Sequence, residues 1–295
     1  MAKRHRQKRR NYEKEFKSLT FTNDYMFSRV NETHPNISKG KIRIVTKIEL
    51  TKYQLLKSQS VLNNHFDAKS VRYDVFVKSL KKHFDIEMQT IKDKDIIKRA
   101  RYYASTMDTD SLTKGKKYKD LPDSIIIFIC LYDPFPPFNK PIYVEKGRLF
   151  TDEKDISEDT KYNNGCVKIY VNTKADLNLI EDEDLKALLL YLNTGEVTDE
   201  FTKEIAQGLD ETRNSKKEVR RYMTLQSVID EKVEVAKQQG RQEGLSKGRI
   251  EGEKKAQANF ITAMYKKGIA ISEIASIANM SIDKVKKIIS SKVRN

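Results

Sequence analysis

Two short alternating segments hold the residues whose types and spacing could do metal-assisted chemistry. In 71–77, Arg72, Asp74 and Phe76 share one side while Val71, Tyr73, Val75 and Val77 share the other. In 83–89, His83, Asp85, Glu87 and Gln89 oppose Phe84, Ile86 and Met88. Side chains alternate across a strand with period two, so each segment predicts a strand with one polar and one apolar side. If the two form an antiparallel hairpin with Ser79-Leu80-Lys81-Lys82 as the loop, partner numbers sum to 161, so that Asp74 faces Glu87 and Arg72 faces Gln89. Opposed β-carbons stand ~5 Å apart, and like charges placed there destabilise the pair, so a cation is expected between the two acids. Mg²⁺ suits them because it takes oxygen ligands and keeps waters that a substrate phosphate can replace. Such an ion lowers the pKa of a bound water and neutralises charge developing on a phosphodiester. Spacing alone equally fits an ordinary hairpin with one wet face, and another loop length would break the pairing.

The elements that must position these acids are legible in outline. Residues 42–50 place Ile42, Ile44, Ile48 and Leu50 at even positions, which predicts a strand. Residues 94–107 lack Gly and Pro and predict a helix, with Ile97, Arg101 and Ala104 on one face. The continuous apolar run Ser124–Tyr132, ended by Asp133-Pro134, predicts a central strand covered on both sides. A further strand is expected at 166–172, and a helix over 184–192 stopped by Gly195. Strands, a helix and then a buried strand suggest an α/β domain with a mixed sheet.

The flanks differ in character. Residues 1–18 read as a basic, flexible arm with six cations between Lys3 and Arg10, and folded structure is expected from about Leu19. From about residue 211, Val219, Tyr222, Gln226, Ile229, Val233 and Ala236 alternate three- and four-residue steps, the seam of a coiled coil or long packed helix that implies a partner surface. Gly240, Gly244, Gly248 and Gly252 then recur every four residues; each helical Gly costs ~1 kcal/mol relative to Ala, which predicts a weak helix. In the tail, Ala275, Asn279 and Val285 stand at relative positions five, nine and fifteen of a helix-turn-helix, with Ile274, Ala278, Met280 and Ile288 on the buried side. Asn tolerates the left-handed turn usually given to Gly. A small helical hairpin packing on itself or a partner fits the same pattern. The resulting division is a 1–18 arm, a 19–210 main domain, a 211–258 long helix and a 259–295 helical tail.

Composition narrows the partners. Lys and Arg number 57 against 42 Asp and Glu, a formal charge of +15 that attracts a polyanion before specific contacts form, so nucleic acid is the first partner to consider. Cys130 and Cys166 are the two cysteines, each inside an apolar run, which argues against a disulfide framework and a cysteine-ligated zinc site. No stretch reads as a signal peptide or membrane span, and a soluble, cytoplasmic protein is the expectation.

Six segments in order carry a resemblance: Thr22–Phe27, Val71–Val77, Asp85–Thr90, Lys98–Tyr103, Ile127–Cys130 and Val171–Thr173. Together they resemble the Rpn family of bacterial recombination-promoting nucleases, PD-(D/E)XK nuclease family transposases, from about residue 19 to the C-terminus. The resemblance implies a restriction-endonuclease-like core of order α-β-β-β-α-β with a helical C-terminal extension, in which an acid on the second strand and one on the third bind the metal. Asp74 and Glu87 match those positions. The superfamily motif usually ends in Lys two residues after the second acid; Gln89 stands there, and Lys98 or Arg101 would be the cation that substitutes. Asp24 is either the acid of the first helix or a helix N-cap, and Met88 would lend its backbone carbonyl. The function implied is a Mg²⁺-dependent endodeoxyribonuclease of low sequence preference linked to recombination or transposition, self-associating through its C-terminal helices. Gln89 keeps open a catalytically weak or inactive nuclease-fold accessory protein for DNA binding or transposition. A protein-interaction module built on the C-terminal helices is the third class.

Overall fold

The computed structural model describes residues 11–55, 61–62, 71–152, 154–155 and 163–293. Its contacts divide the chain into a first unit ending at Tyr222 and a second beginning at Met223.

The first unit is α/β. Helices α1 (Asp24–Thr33) and α2 (Pro35–Thr46) precede a sheet built from β1 (Tyr53–Leu55), β4 (Val75–Ser79), β5 (Lys82–Gln89), β6 (Asp123–Cys130), β7 (Ile142–Lys146) and β8 (Cys166–Asn172). The strand order is β1-β4-β5-β6-β8-β7, and β2 (Val61–Leu62) with β3 (Val71–Arg72) forms a separate two-stranded ladder. β6 runs parallel to β5 and β8, whereas the β1–β4, β4–β5 and β7–β8 pairs are antiparallel, so the sheet is mixed. Helix α3 (Ile96–Ser111) crosses from β5 to β6, and α4 (Glu183–Thr194), α5 (Glu200–Asn214) and the long α6 (Lys216–Lys266) follow the sheet. The order from α1 through β1, β4, β5, α3 and β6 is the expected α-β-β-β-α-β.

Two apolar layers sandwich the sheet. Val75, Val77, Phe84, Ile86, Ile125, Ile127 and Ile129 join α1, α2, α4 and α5 in one core. On the other face Tyr73, Phe76, Ile126 and Phe128 pack with Ile96, Ala100, Tyr103, Ala104 and Met107 of α3. From Ser124 to Cys130 every residue of β6 is buried, as a strand with apolar cover on both faces requires. Gly195, at φ 80°, caps α4 in the left-handed region. Both cysteines are free thiols, Cys130 buried and Cys166 partly so.

Four expectations are corrected. Residues 42–46 belong to α2, not to a strand: Pro35 opens it, and Ile37, Lys41 and Val45 bury at four-residue spacing, while Ile48 and Leu50 lie beyond its left-handed cap Lys47 at φ 61°. Helix α3 turns Ala100, Tyr103 and Ala104 inward and leaves Ile97 and Arg101 exposed, so its buried stripe is shifted from the expected one. Residues 11–18 are helical, and Phe16 is fully buried, its ring 5.9 Å from Tyr25 and 5.2 Å from Tyr222. The fold therefore starts well before Leu19, and residues 1–10 of the expected arm lie outside the described residues. At the other end, Glu218 forms a buried pair with Arg29 and Tyr222 is buried, which carries the first unit past residue 210.

The second unit is helical. Residues 240–252 are helical and all exposed, where a weak helix was expected, and among the described residues no atom would crowd a β-carbon at Gly240, Gly244, Gly248 or Gly252. Of the seam, Val219 and Tyr222 pack on the first unit's core, while Ile229 and Val233 stay 42% and 60% exposed. The end of α6 gathers with α7 (Ile271–Ile277) and α8 (Ile282–Val293) around Ile261, Met264, Ile274, Ala275, Val285 and Ile289. Among the described residues no helix is long and apolar enough to cross a membrane.

Candidate active site

The hairpin adopts the expected register: Val75 pairs with Ile86, Phe76 with Asp85, Val77 with Phe84 and Lys78 with His83. A bend at Asp74 separates β3 from β4, and the alternation slips there by one residue. Val71 and Tyr73 thus share the second core with Phe76, while Val75 and Val77 face the first. Tyr73 anchors the bend, its ring stacked 5.0 Å from Phe76 and its hydroxyl donating to the Tyr103 carbonyl at 3.3 Å. Arg72 pairs with Val61 in the small ladder, not with Gln89, because β3 has left the main sheet.

At the bend the two acids meet through their backbones. The Asp74 N–H donates to Glu87 Oε1 at 2.9 Å, and the Met88 N–H donates to Asp74 Oδ2 at 3.2 Å. This reciprocal pair holds both carboxylates at one end of the β4–β5 ladder. They face a cleft of about 740 Å³ also lined by Asp24, Gln89, Arg99 and Tyr103, with exposed Arg72, Lys92 and Lys94 around it. Asp24 is the first residue of α1, and the N-cap is its neighbour Asn23, whose side chain accepts from the Tyr25 and Met26 N–H groups. Asp24, which does not cap the helix, lines the same cleft as Asp74, and its charge raises the Asp74 pKa. Met88 buries its side chain in the first core.

The polar side of β5 is not wet: Asp85, Glu87 and Gln89 are all buried beneath α3. Burial first, then the Asp24 charge, pushes Asp74 up to about 6, with the Met88 N–H opposing. Burial first, then the Asp74 charge, pushes Glu87 up to about 8. Asp85 is fully buried, and burial first, then the Glu87 and Asp74 charges, raise it well above the carboxylate range. Lys41, also fully buried and without a hydrogen-bond partner, lies over the Phe27 ring at 4.0 Å; burial lowers its pKa and Asp74 opposes that. Burial and mutual repulsion therefore oppose ionising all three acids together.

Lys98 and Arg101, the substitutes that the resemblance suggested for the motif's Lys, both point outward, Lys98 toward Asp95 at 3.9 Å. Arg99 turns in instead. It donates to Gln89 Oε1 at 2.9 Å and to the Tyr103 hydroxyl at 2.9 Å, and reaches Glu87 Oε2 at 3.4 Å. Asp93 lies 3.6 Å away, and the Tyr103 and Phe128 rings flank the guanidinium. A one-turn link from Arg99 to Tyr103 on the buried stripe of α3 was the signal that spacing held for this residue.

The donor set fits a hard divalent cation. Among the described residues no three His, Cys, Asp or Glu side chains form a closed metal cluster. Mg²⁺ does not demand one, because it binds through one or two carboxylates and completes its shell with water and substrate oxygens. Asp74 and Glu87 are the two carboxylates that would hold such an ion.

Neither a curated protein nor a solved structure matches the chain. The family model described as PD-(D/E)XK nuclease family transposase matches residues 23–159. That span includes both acids and the Arg99 helix and ends before Val171–Thr173 and the C-terminal helices. Over those residues the chain is similar to the PD-(D/E)XK nuclease family transposases, which supports a function related to nuclease or transposase activity.

Proposed function

We propose that the chain is a divalent-cation-dependent endodeoxyribonuclease of low sequence preference, serving recombination or transposition. The observation that carries this reading is that Glu87 accepts from the Asp74 N–H and Asp74 from the Met88 N–H, which sets the two carboxylates side by side near a guanidinium held by Gln89. Asp74 and Glu87 would hold Mg²⁺, with Asp24 and the Met88 carbonyl as further oxygen donors. When bound, the ion would supply charge neutralisation at the scissile phosphate and acidify a water.

The remaining roles belong to the chain itself. Arg72, Lys92 and Lys94 attract the DNA backbone to the cleft without reading sequence. Arg99 offers the fixed positive charge that the motif's usual Lys would supply, aimed at charge developing on phosphate oxygens. Gln89 carries no charge and acts through its Oε1, which fixes where Arg99 points. The Tyr103 hydroxyl holds the same guanidinium from the helix side. Self-association through the exposed part of the α6 seam, and a cytoplasmic location consistent with two free thiols, belong to the same reading.

Gln89 in place of Lys favours a second reading, a DNA-binding accessory protein that keeps the fold and has lost cleavage. Incubating the purified protein with supercoiled plasmid separates the two. Nicking in Mg²⁺ that stops with EDTA and with Asp74→Ala is the expected result; binding without cleavage in Mg²⁺ or Mn²⁺ would transfer the assignment to the accessory protein.

A further inference from the structure

The nuclease assignment leaves the second unit unused, and its end has the geometry of a DNA reader. The α6 helix stops at Gly268, whose φ of 84° turns the chain into α7. Between α7 and α8, Asn279 adopts φ 49°, with its N–H bonded to the Ser276 carbonyl and the Met280 N–H to that of Ala275. A left-handed residue is what lets two helices turn sharply within so few positions. Ile274 and Ala275 of α7, Val285 and Ile289 of α8, and Ile261 and Met264 of α6 close a small core among all three helices. The unit is therefore a three-helix assembly with a helix-turn-helix as its second and third members, not a hairpin awaiting a partner to form a core.

The outward side of α8 is polar and basic. Val285 and Ile289 face inward, leaving Asp283, Lys284, Lys286, Lys287 and Ser290 exposed, with Ile282 at the start of the helix as a single exposed apolar residue and, among the described residues, no apolar stripe along it. From 259 to 293 there are six lysines against two acids. In helix-turn-helix proteins the last helix enters the major groove and the one before it crosses the backbone. An exposed helix with lysines for phosphates and short polar residues for base edges suits that placement, whereas a protein-docking helix would present an apolar stripe.

We propose that residues 259–293 bind duplex DNA through α8, as a contact made of residues none of which lines the nuclease cleft. It goes beyond the nuclease assignment and does not require cleavage to be correct.

The test is binding of full-length protein to a labelled duplex in EDTA, followed by fluorescence anisotropy across a salt series. The Lys286→Gln/Lys287→Gln variant removes two exposed charges and should not disturb the fold, which circular dichroism checks. Each lost phosphate contact lowers the log–log salt slope by about 0.9, so a drop approaching 2 and an affinity loss on the order of 10-fold are expected. The matched variant Lys254→Gln/Lys255→Gln, on the exposed part of α6, should lose markedly less. Equal losses in both variants would reduce the effect to bulk charge and overturn the proposal. So would wild-type binding by the α8 variant, including the case in which only its oligomeric mass changes. Because EDTA removes divalent cations, loss of plasmid cleavage and loss of this binding are read independently.

Discussion

Glu87→Gln should destroy cleavage while making the metal-free protein more stable, and the gain should grow with pH. Glu87 is 2% exposed, and burial with the Asp74 charge moves it from an ordinary 4.5 up to about 8. Below about pH 4.5 its carboxyl is neutral in both folded and unfolded chains, and the substitution should change little. Above that, the unfolded chain ionises while the folded chain keeps its proton, so wild-type stability falls as pH rises and levels off once the folded group ionises near 8. Each pH unit of that interval is worth about 1.4 kcal/mol, which sets a ceiling of about 3 kcal/mol at pH 7. The glutamine can still accept from the Asp74 N–H through its oxygen, but its amide is a poorer neighbour for Arg99, which takes back about 1–2 kcal/mol. A net gain of about 1–2 kcal/mol, roughly 2–8 °C in Tm for a unit of this size, is expected at pH 7. Thermal melts in EDTA at pH 5, 6, 7 and 8 should show the two proteins diverging in that order. A variant that melts several degrees lower at pH 7, or a difference that shrinks with pH, would mean that Glu87 serves the fold as an ionised partner and that the two-acid site is misassigned.

Three further outcomes follow from the same geometry. Arg99→Gln should lower the cleavage rate by about 10²–10³ with little change in KM, as removal of a donor aimed at transition-state charge does; an unchanged kcat would return the guanidinium to a purely structural role. Removing residues 1–10 should flatten the salt dependence of DNA binding without moving Tm, whereas Phe16→Ala, which empties a fully buried site, should cost about 3–5 kcal/mol in a denaturant titration; equal Tm values for Phe16→Ala and wild type would mean the 11–18 helix does not pack as described. Ile229→Glu with Val233→Glu, at positions 42% and 60% exposed in the single chain, should lower the mass seen by light scattering without changing Tm; an unchanged mass would show that the exposed seam is not what associates.

Much of the site was legible because a β-hairpin is a local object. Alternation over 71–77 and 83–89 and the length of the loop between them set the register that brings Asp74 opposite Glu87, and no distant residue has to be known for that. The same locality made β6 recognisable by its unbroken apolar run, and the 275–285 turn by its Asn. What the sequence could not state is which surface covers which. Two isoleucines two apart on α2 look like a strand because a helix packed on two sides buries both. The polar side of β5 looks solvent-facing until α3 is laid over it, and that burial is what raises the acids' pKa values. Lys98, Arg99 and Arg101 have similar chemistry on paper; only the rotation of α3, set by Ala100, Tyr103 and Ala104 seeking the sheet, turns Arg99 inward to Gln89. Phe16 lies beside a run of cations and reads as part of a solvated arm, yet the aromatic rings that bury it come from residues 25 and 222. Local pattern thus placed the two acids, and long-range packing decided which cation lies beside them and how tightly they hold protons.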